Sequence, residues 1–199
     1  MKIETLLERY GALRVCEADL CAARDLMGKT YKNGNKILLC GNGGSAADCD
    51  HIAGELLKGF LSHRPVTDER IPQPLRDQLQ GSLPAVSLPS ITAALTASLN
   101  DLEPSIAYAQ LLYGLGKPGD LLIAISTSGN AQNVKNAAIL ARSLGMSVLS
   151  LTGEGGGALA TLADVTIRVP ERETYKIQEY HLPVYHYLCA AVEADLFGE

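Results

Sequence analysis

The stretch GDLLIAISTSGNAQNVKNA, residues 119–137, decides the fold. Leu121–Ile125 is an uninterrupted apolar run of strand length, and it stops abruptly at Ser126-Thr127-Ser128-Gly129-Asn130. Such a run reads as a strand buried on both faces, as in a parallel sheet. Helical spacing follows over 130–144. A buried strand, a hydroxyl-rich turn and a helix form half of a βαβ crossover. Toward the C-terminus the alternation continues: a strand at 146–151, a short helix at 156–162, a strand at 165–169 and a long closing helix at 174–197. Toward the N-terminus lie a helix within 103–115, a short helix at 92–99 and strands at 84–88 and 36–40. The strand at 36–40 runs into Gly41-Asn42-Gly43-Gly44, and Ser45 opens a helix with apolar positions Ala46, Cys49, Ala53, Leu56 and Phe60. Residues 1–34 read as one amphipathic N-terminal helix (Ile3, Leu6, Leu7, Tyr10, Leu13) closed by Gly34 and Asn35. Only 63–82 breaks the rhythm, with Pro65, Pro72 and Pro74 marking an irregular excursion. The expected fold is α/β: one domain over 1–199, a parallel sheet of about five strands covered by helices on both faces.

The chain has 199 residues, 47% hydrophobic and 20% charged, with a formal net charge of −5. That balance supplies one core and offers no basic face for nucleic acid. A small anion is not excluded, because backbone amides bind phosphate without net positive charge. The five cysteines lack C-x-x-C spacing and read as reduced thiols. No apolar run is long enough for a membrane span or has the form of a signal peptide, so a cytoplasmic location is expected.

In an open parallel sheet, ligands bind beyond the carboxyl ends of the strands. Three loops fall there. Gly41–Ser45 allows close backbone approach and opens a helix. Ser126–Asn130 offers three consecutive hydroxyls, a permissive glycine and a helix start, suited to a dianionic phosphate. Thr152–Gly157 carries Glu154, which argues against phosphate, and reads as structural. Neither the P-loop ending nor the dinucleotide fingerprint is present.

His51 and Glu55 lie four apart, on one helix face displaced from the Ala53/Leu56/Phe60 stripe. On the closing helix Gln178 and His186 project about 80° apart and two turns distant, able to flank one ligand. An i,i+4 His–Glu pair is by itself commonly a solvated surface contact. The spacing does not join the two pairs, and His181, one turn from Gln178, competes for any role.

With these residues assembled, the chain resembles the phosphoheptose isomerases of the SIS, or sugar-isomerase, superfamily. The resemblance rests on CGNGGSAADCDHIAGEL (40–56), SLND (98–101), GDLLIAISTSGNAQNVKNA (119–137), LTGEGGGALA (151–160) and IRVPERETYKIQEYHLPVYH (167–186). It implies an SIS-type three-layer sandwich. It also implies that Asn42, Gly43, Gly44, Ser45, Glu55, Asn100, Asp101 and Gln178 contact a phosphorylated sugar and that Ser126, Thr127 and Ser128 hold its phosphate. His51, Glu55, Gln178 and His186 match the family's zinc residues, one ion per subunit, and Glu55 and His186 match its acid–base pair. The implied assembly is a homotetramer with shared active sites.

The implied reaction converts sedoheptulose 7-phosphate to D-glycero-D-manno-heptose 7-phosphate through an enediol. One alternative is a non-catalytic SIS protein that senses a phosphosugar or binds a partner such as a replication initiator; another, kept open by Tyr175 and Ala131, is an isomerase of a different phosphosugar. The complete His51/Glu55/Gln178/His186 set favours the enzyme. Three departures stand out: Ala131 where a phosphate-contacting serine is common, Tyr175 where an aspartate is common, and a long 63–82 excursion. Arg64, Arg70 and Arg76 of that excursion are expected to cover the site or an interface.

Overall fold

The computed structural model describes residues 1–198. Five parallel strands, β1 (Ile37–Gly41), β2 (Ala85–Ser87), β3 (Leu121–Ile125), β4 (Ser147–Thr152) and β5 (Val165–Arg168), are ordered β2-β1-β3-β4-β5. Leu38 pairs with Leu122, and Leu122 with Val148. Because strand side chains alternate, this register sends Leu38, Cys40, Leu122, Ala124 and Val148 to one face. Ile37, Leu39, Leu121, Ile123, Ile125 and Leu149 go to the other.

Two separate cores result. The first face packs on α6 (Ala107–Leu115) and α7 (Gln132–Ser143), with α5 (Thr92–Asp101) flanking through Leu95. The second packs on α1 (Ile3–Arg9), α2 (Glu17–Lys32), α3 (Gly44–Leu57) and α9 (Thr174–Phe197). The small helices α4 (Gln73–Arg76) and α8 (Leu159–Leu162) complete the chain. This is the expected three-layer α/β sandwich. β1 and β3, wholly buried, form its centre, while β5 at the edge is only partly buried, as an edge strand must be. Among the described residues no helix is long and apolar enough to cross a membrane. All five cysteines are free, and four are buried.

The structure corrects two expectations. The N-terminal 1–34 segment is not one helix: α1 ends at Arg9, Gly11–Cys16 forms a 3-10 stretch, and α2 begins at Glu17. Gly11 disfavours helix continuation, and the break lets Leu6, Leu7, Leu13, Cys16 and Leu20 all reach the core. Arg64 covers neither the site nor an interface. It is fully buried and bonded to Glu193 of α9 at 2.7 Å and to the carbonyls of Leu56 and Glu55 at 2.7 and 3.2 Å. With the Gly81 amide donating to the Arg64 carbonyl at 2.7 Å and a Pro65–Gln80 bridge, this closes the excursion at its neck. Arg70 is exposed and paired to Asp68.

Candidate active site

Strand order places the topological switch between β1 and β3, so the crevice opens between the loops that follow them. Asn42 of the first loop and Asn133 in the first turn of α7 span it with two reciprocal amide bonds of 2.9 Å. A cleft of about 390 Å3 opens beside the second loop, lined by Thr127, Ser128, Gly153, Gly155, Arg172 and Ile177, among others.

The Ser126–Asn130 loop is shaped by its neighbour. Gly129 has φ +67°, and a Cβ there would sit 2.0 Å from the Gly156 carbonyl oxygen. Only glycine fits. The Gly153 amide donates to Thr127 O at 2.9 Å, the Leu159 amide to Gly129 O at 3.1 Å, and the Ala158 amide to Asn130 Oδ1 at 3.0 Å. Asn130 also bonds Ser128 through both its amide and its side chain. The loop at 152–157, expected to be structural, thus buttresses the hydroxyl loop and lines the cleft as well. Its acid is engaged: Arg172 bonds Glu154, which holds that carboxyl below the usual carboxylate range. Ser126 is buried, Thr127 half-buried and Ser128 exposed, so the hydroxyls grade from the sheet toward solvent.

The two distant pairs come together along α3 and α9. The Gln178 side chain of α9 lies over Gly44 at the start of α3, where a Cβ would stand 2.5 Å from its Nε2. Two turns on, His186 Nε2 stands 3.3 Å from His51 Nε2, and His51 Nε2 stands 3.3 Å from Glu55 Oε1. Phe60 lies against the His186 ring at 5.5 Å. Burial lowers the His186 pKa; the neighbouring His51 adds to this and Glu55 opposes it. Lys58 approaches Glu55 from outside at 3.5 Å.

His181 joins none of this. It is fully buried, its Nε2 3.4 Å from the Thr152 carbonyl, and burial pushes its pKa down to about 4. Asn100 and Asp101, at the end of α5, are exposed and bonded to each other at 2.8 Å, outside the cleft and the histidine cluster. Ala131 stands at the N-cap position of α7 without a capping side-chain bond, and Tyr175 is exposed on α9.

Sequence reasoning missed Tyr185 and Asp48. The Tyr185 hydroxyl lies 3.0 Å from His51 Nδ1 and 3.3 Å from Asp48 Oδ1. Burial raises the Asp48 pKa, opposed by the Tyr185 hydroxyl and by His51. Asp48 precedes His51 by three positions, hence on its face of α3, and that spacing was the available signal. Tyr185, between Val184 and His186, reads as core filler.

The donor set suits zinc chemically, and the two 3.3 Å separations match the edge, about 3.3 Å, of a tetrahedron with bonds of about 2.0–2.1 Å. Among the described residues, however, no three His, Cys, Asp or Glu side chains are gathered as a ready cage. Two edges share His51, and closing the set takes side-chain adjustment.

The SIS domain family model matches residues 3–153. The phosphoheptose isomerase of Shewanella baltica is 39% identical, the match covering 98% of this chain and 93% of that protein. That of Akkermansia muciniphila is 37% identical over 97% and 94%. Among solved structures, the phosphoheptose isomerase of Neisseria gonorrhoeae superposes with a TM-score of 0.79 at 34% identity, covering 96% of this chain and 94% of that one. The one from Francisella tularensis gives 0.79 at 30%, over 96% and 93%. The chain therefore belongs to the SIS domain family and, within it, to the phosphoheptose isomerases, enzymes that isomerise a sugar phosphate.

Proposed function

We propose that this chain interconverts sedoheptulose 7-phosphate and D-glycero-D-manno-heptose 7-phosphate through an enediol, with Glu55 and His186 as its acid–base pair. The observation that carries the reading is the meeting of His51, Glu55 and His186, from helices more than a hundred residues apart in sequence. Ser126–Ser128 and the first amides of α7 suit a phosphate through charge-assisted hydrogen bonds and the helix dipole. Anchoring the substrate there holds the reacting carbons in one orientation, which supplies part of the rate. Aldose–ketose exchange needs a base for a carbon-bound proton and an acid for the developing enediolate oxygen. A carboxylate only 16% exposed and an imidazole whose pKa is lowered by burial suit those tasks.

His51, Glu55, His186 and Gln178 would hold one zinc ion per subunit, with the glutamine amide the weakest donor. When bound, the ion supplies Lewis-acid polarisation of the carbonyl and the adjacent hydroxyl. The homotetramer with shared sites is part of the same reading. Asn100 and Asp101, outside the cleft of their own chain, suit a contribution to a second subunit's site. So does the exposure of Val15, Leu61, Leu182 and Phe197.

Incubating purified protein with a panel of ketose phosphates and following the aldose tests the reaction. Turnover of sedoheptulose 7-phosphate above the others is the expected result. Phosphosugar binding without turnover of any would replace this reading with the sensing or partner-binding alternative. Metal analysis finding no zinc, with no activation by added zinc, retires the ion. Light scattering that shows a monomer at micromolar concentration retires the shared site.

A further inference from the structure

Tyr185 belongs to no recognised set of site residues, yet it is 2% exposed and its hydroxyl bridges two functional groups of α3. On one side is His51 Nδ1 at 3.0 Å; on the other is Asp48 Oδ1 at 3.3 Å. A phenol has one proton to donate. An ionised carboxylate only accepts, and the other Asp48 oxygen is buried without a partner, so among the described residues Tyr185 is the carboxylate's hydrogen-bond donor. Leaving that half-buried oxygen unmatched would be costly. With Asp48 ionised, the assignment that satisfies its carboxylate runs one way: His51 Nδ1–H donates to the Tyr185 oxygen, and Tyr185 O–H donates to Asp48.

We infer that Tyr185, backed by Asp48, is a positioning residue that holds His51 in its Nδ1–H tautomer and turns the Nε2 lone pair toward Glu55 and His186. The other face of the ring then presents an acceptor 3.3 Å from Glu55 Oε1 and 3.3 Å from His186 Nε2. Acceptors gathered this way favour a cation among them. A ligating histidine is oriented in the same manner when its second nitrogen donates to a partner outside the ligand set. Here a tyrosine is interposed between imidazole and carboxylate. The Tyr185 ring, edge-on to His51 at 5.2 Å, also fixes the imidazole plane. The consequence for zinc rests on the metal reading above; the tautomer does not.

Tyr185→Phe removes the hydroxyl and keeps the ring. The test is a two-bond 1H–15N spectrum of histidine-labelled, metal-free protein at about pH 9, where imidazoles are generally neutral, with His51 assigned by its loss in His51→Gln. The parent is expected to show His51 as Nδ1–H, and Tyr185→Phe to lose that form. Asp48→Ala, a second variant should the first fold poorly, frees the hydroxyl to donate to Nδ1 and shifts His51 to Nε2–H. Titration with zinc alone is expected to show an affinity about 10- to 100-fold weaker in Tyr185→Phe. A parent in the Nε2–H form, or a Tyr185→Phe protein still in the Nδ1–H form, overturns the inference whatever the affinities. A parent that binds no zinc removes the metal reading and leaves the tautomer to decide.

Discussion

Gly129 meets Gly156 and Gly157 through backbone atoms alone, whereas His51 meets Glu55 and His186 through side chains carried on two helices. The two regions share α9: Ile177 packs against Gly153 of the cradle, and His186, further along the same helix, stands in the cluster. The cradle is a fixed arrangement of amides and hydroxyls whose shape is set by steric exclusion. The cluster is an arrangement of exchangeable protons whose geometry is set by helix packing, with His51 40% exposed. Binding and chemistry should therefore fail separately under mutation.

The largest expected effect falls on the cluster. Glu55→Gln keeps size and hydrogen bonding but removes the carboxylate, so kcat should fall by about 10²–10⁴ while sugar-phosphate affinity stays near the parent's. Rate measurements beside calorimetric binding decide it. Near-parental turnover would falsify the acid–base assignment. Next is Gly129→Ala in the cradle. A side chain at φ +67° is strained, and its Cβ would overlap the Gly156 carbonyl, so a stability loss of about 2–5 kcal/mol is expected in urea denaturation. An unchanged midpoint would mean that the two loops move apart at little cost, contrary to the contrast drawn above.

How legible each region was follows from how it is built. The β3 run Leu121–Ile125 and the glycine loops are local patterns, and the structure keeps them with boundaries moved by a residue or two at the other strands. The 1–34 segment misled because its apolar spacing persists through a 3-10 stretch, which periodicity does not distinguish from an α-helix. Arg64 was expected to cover the site or an interface because its partner, Glu193, lies 129 residues away. His51 and His186 were joined by resemblance alone, since no spacing rule links α3 to α9. Tyr185 was missed because a tyrosine among apolar neighbours shows its hydroxyl's task only once Asp48 and His51 are seen beside it.

A smaller effect separates shape from donors within the cradle. Ser128 is exposed, and removing its hydroxyl leaves the glycine contacts in place. Ser128→Ala should weaken sugar-phosphate binding by about 1.5–3 kcal/mol, the worth of one charge-assisted bond, with a much smaller loss of stability from the freed Asn130 amide. Calorimetry showing parental affinity would put the phosphate elsewhere.

The smallest effect asks whether the cluster's scaffold, unlike the cradle, depends on ionisation. Glu193 accepts from the amides of Phe60, Leu61 and Ser62 at 2.7, 2.8 and 3.1 Å, and from Arg64 at 2.7 Å, while Arg64 in turn holds the carbonyls at the end of α3. Burial works to raise the Glu193 pKa, but these donors outweigh it and the net shift is downward from 4.5. A carboxyl depressed in the folded state binds its proton more readily when unfolded. Its contribution is fully present above the unfolded value and is lost as pH falls through the folded one. Stability should therefore decline below about pH 4.5 with a slope from this group of at most about 1.4 kcal/mol per pH unit. Glu193→Gln should be less stable than the parent at neutral pH, because a neutral amide leaves Arg64 buried without its counter-charge. It should also show a shallower acid limb, so that the two denaturation curves converge as pH falls. Parallel acid limbs would show that the neck of the excursion, and with it the end of the Glu55-bearing helix, is held by packing, making cluster and cradle alike in what fixes them.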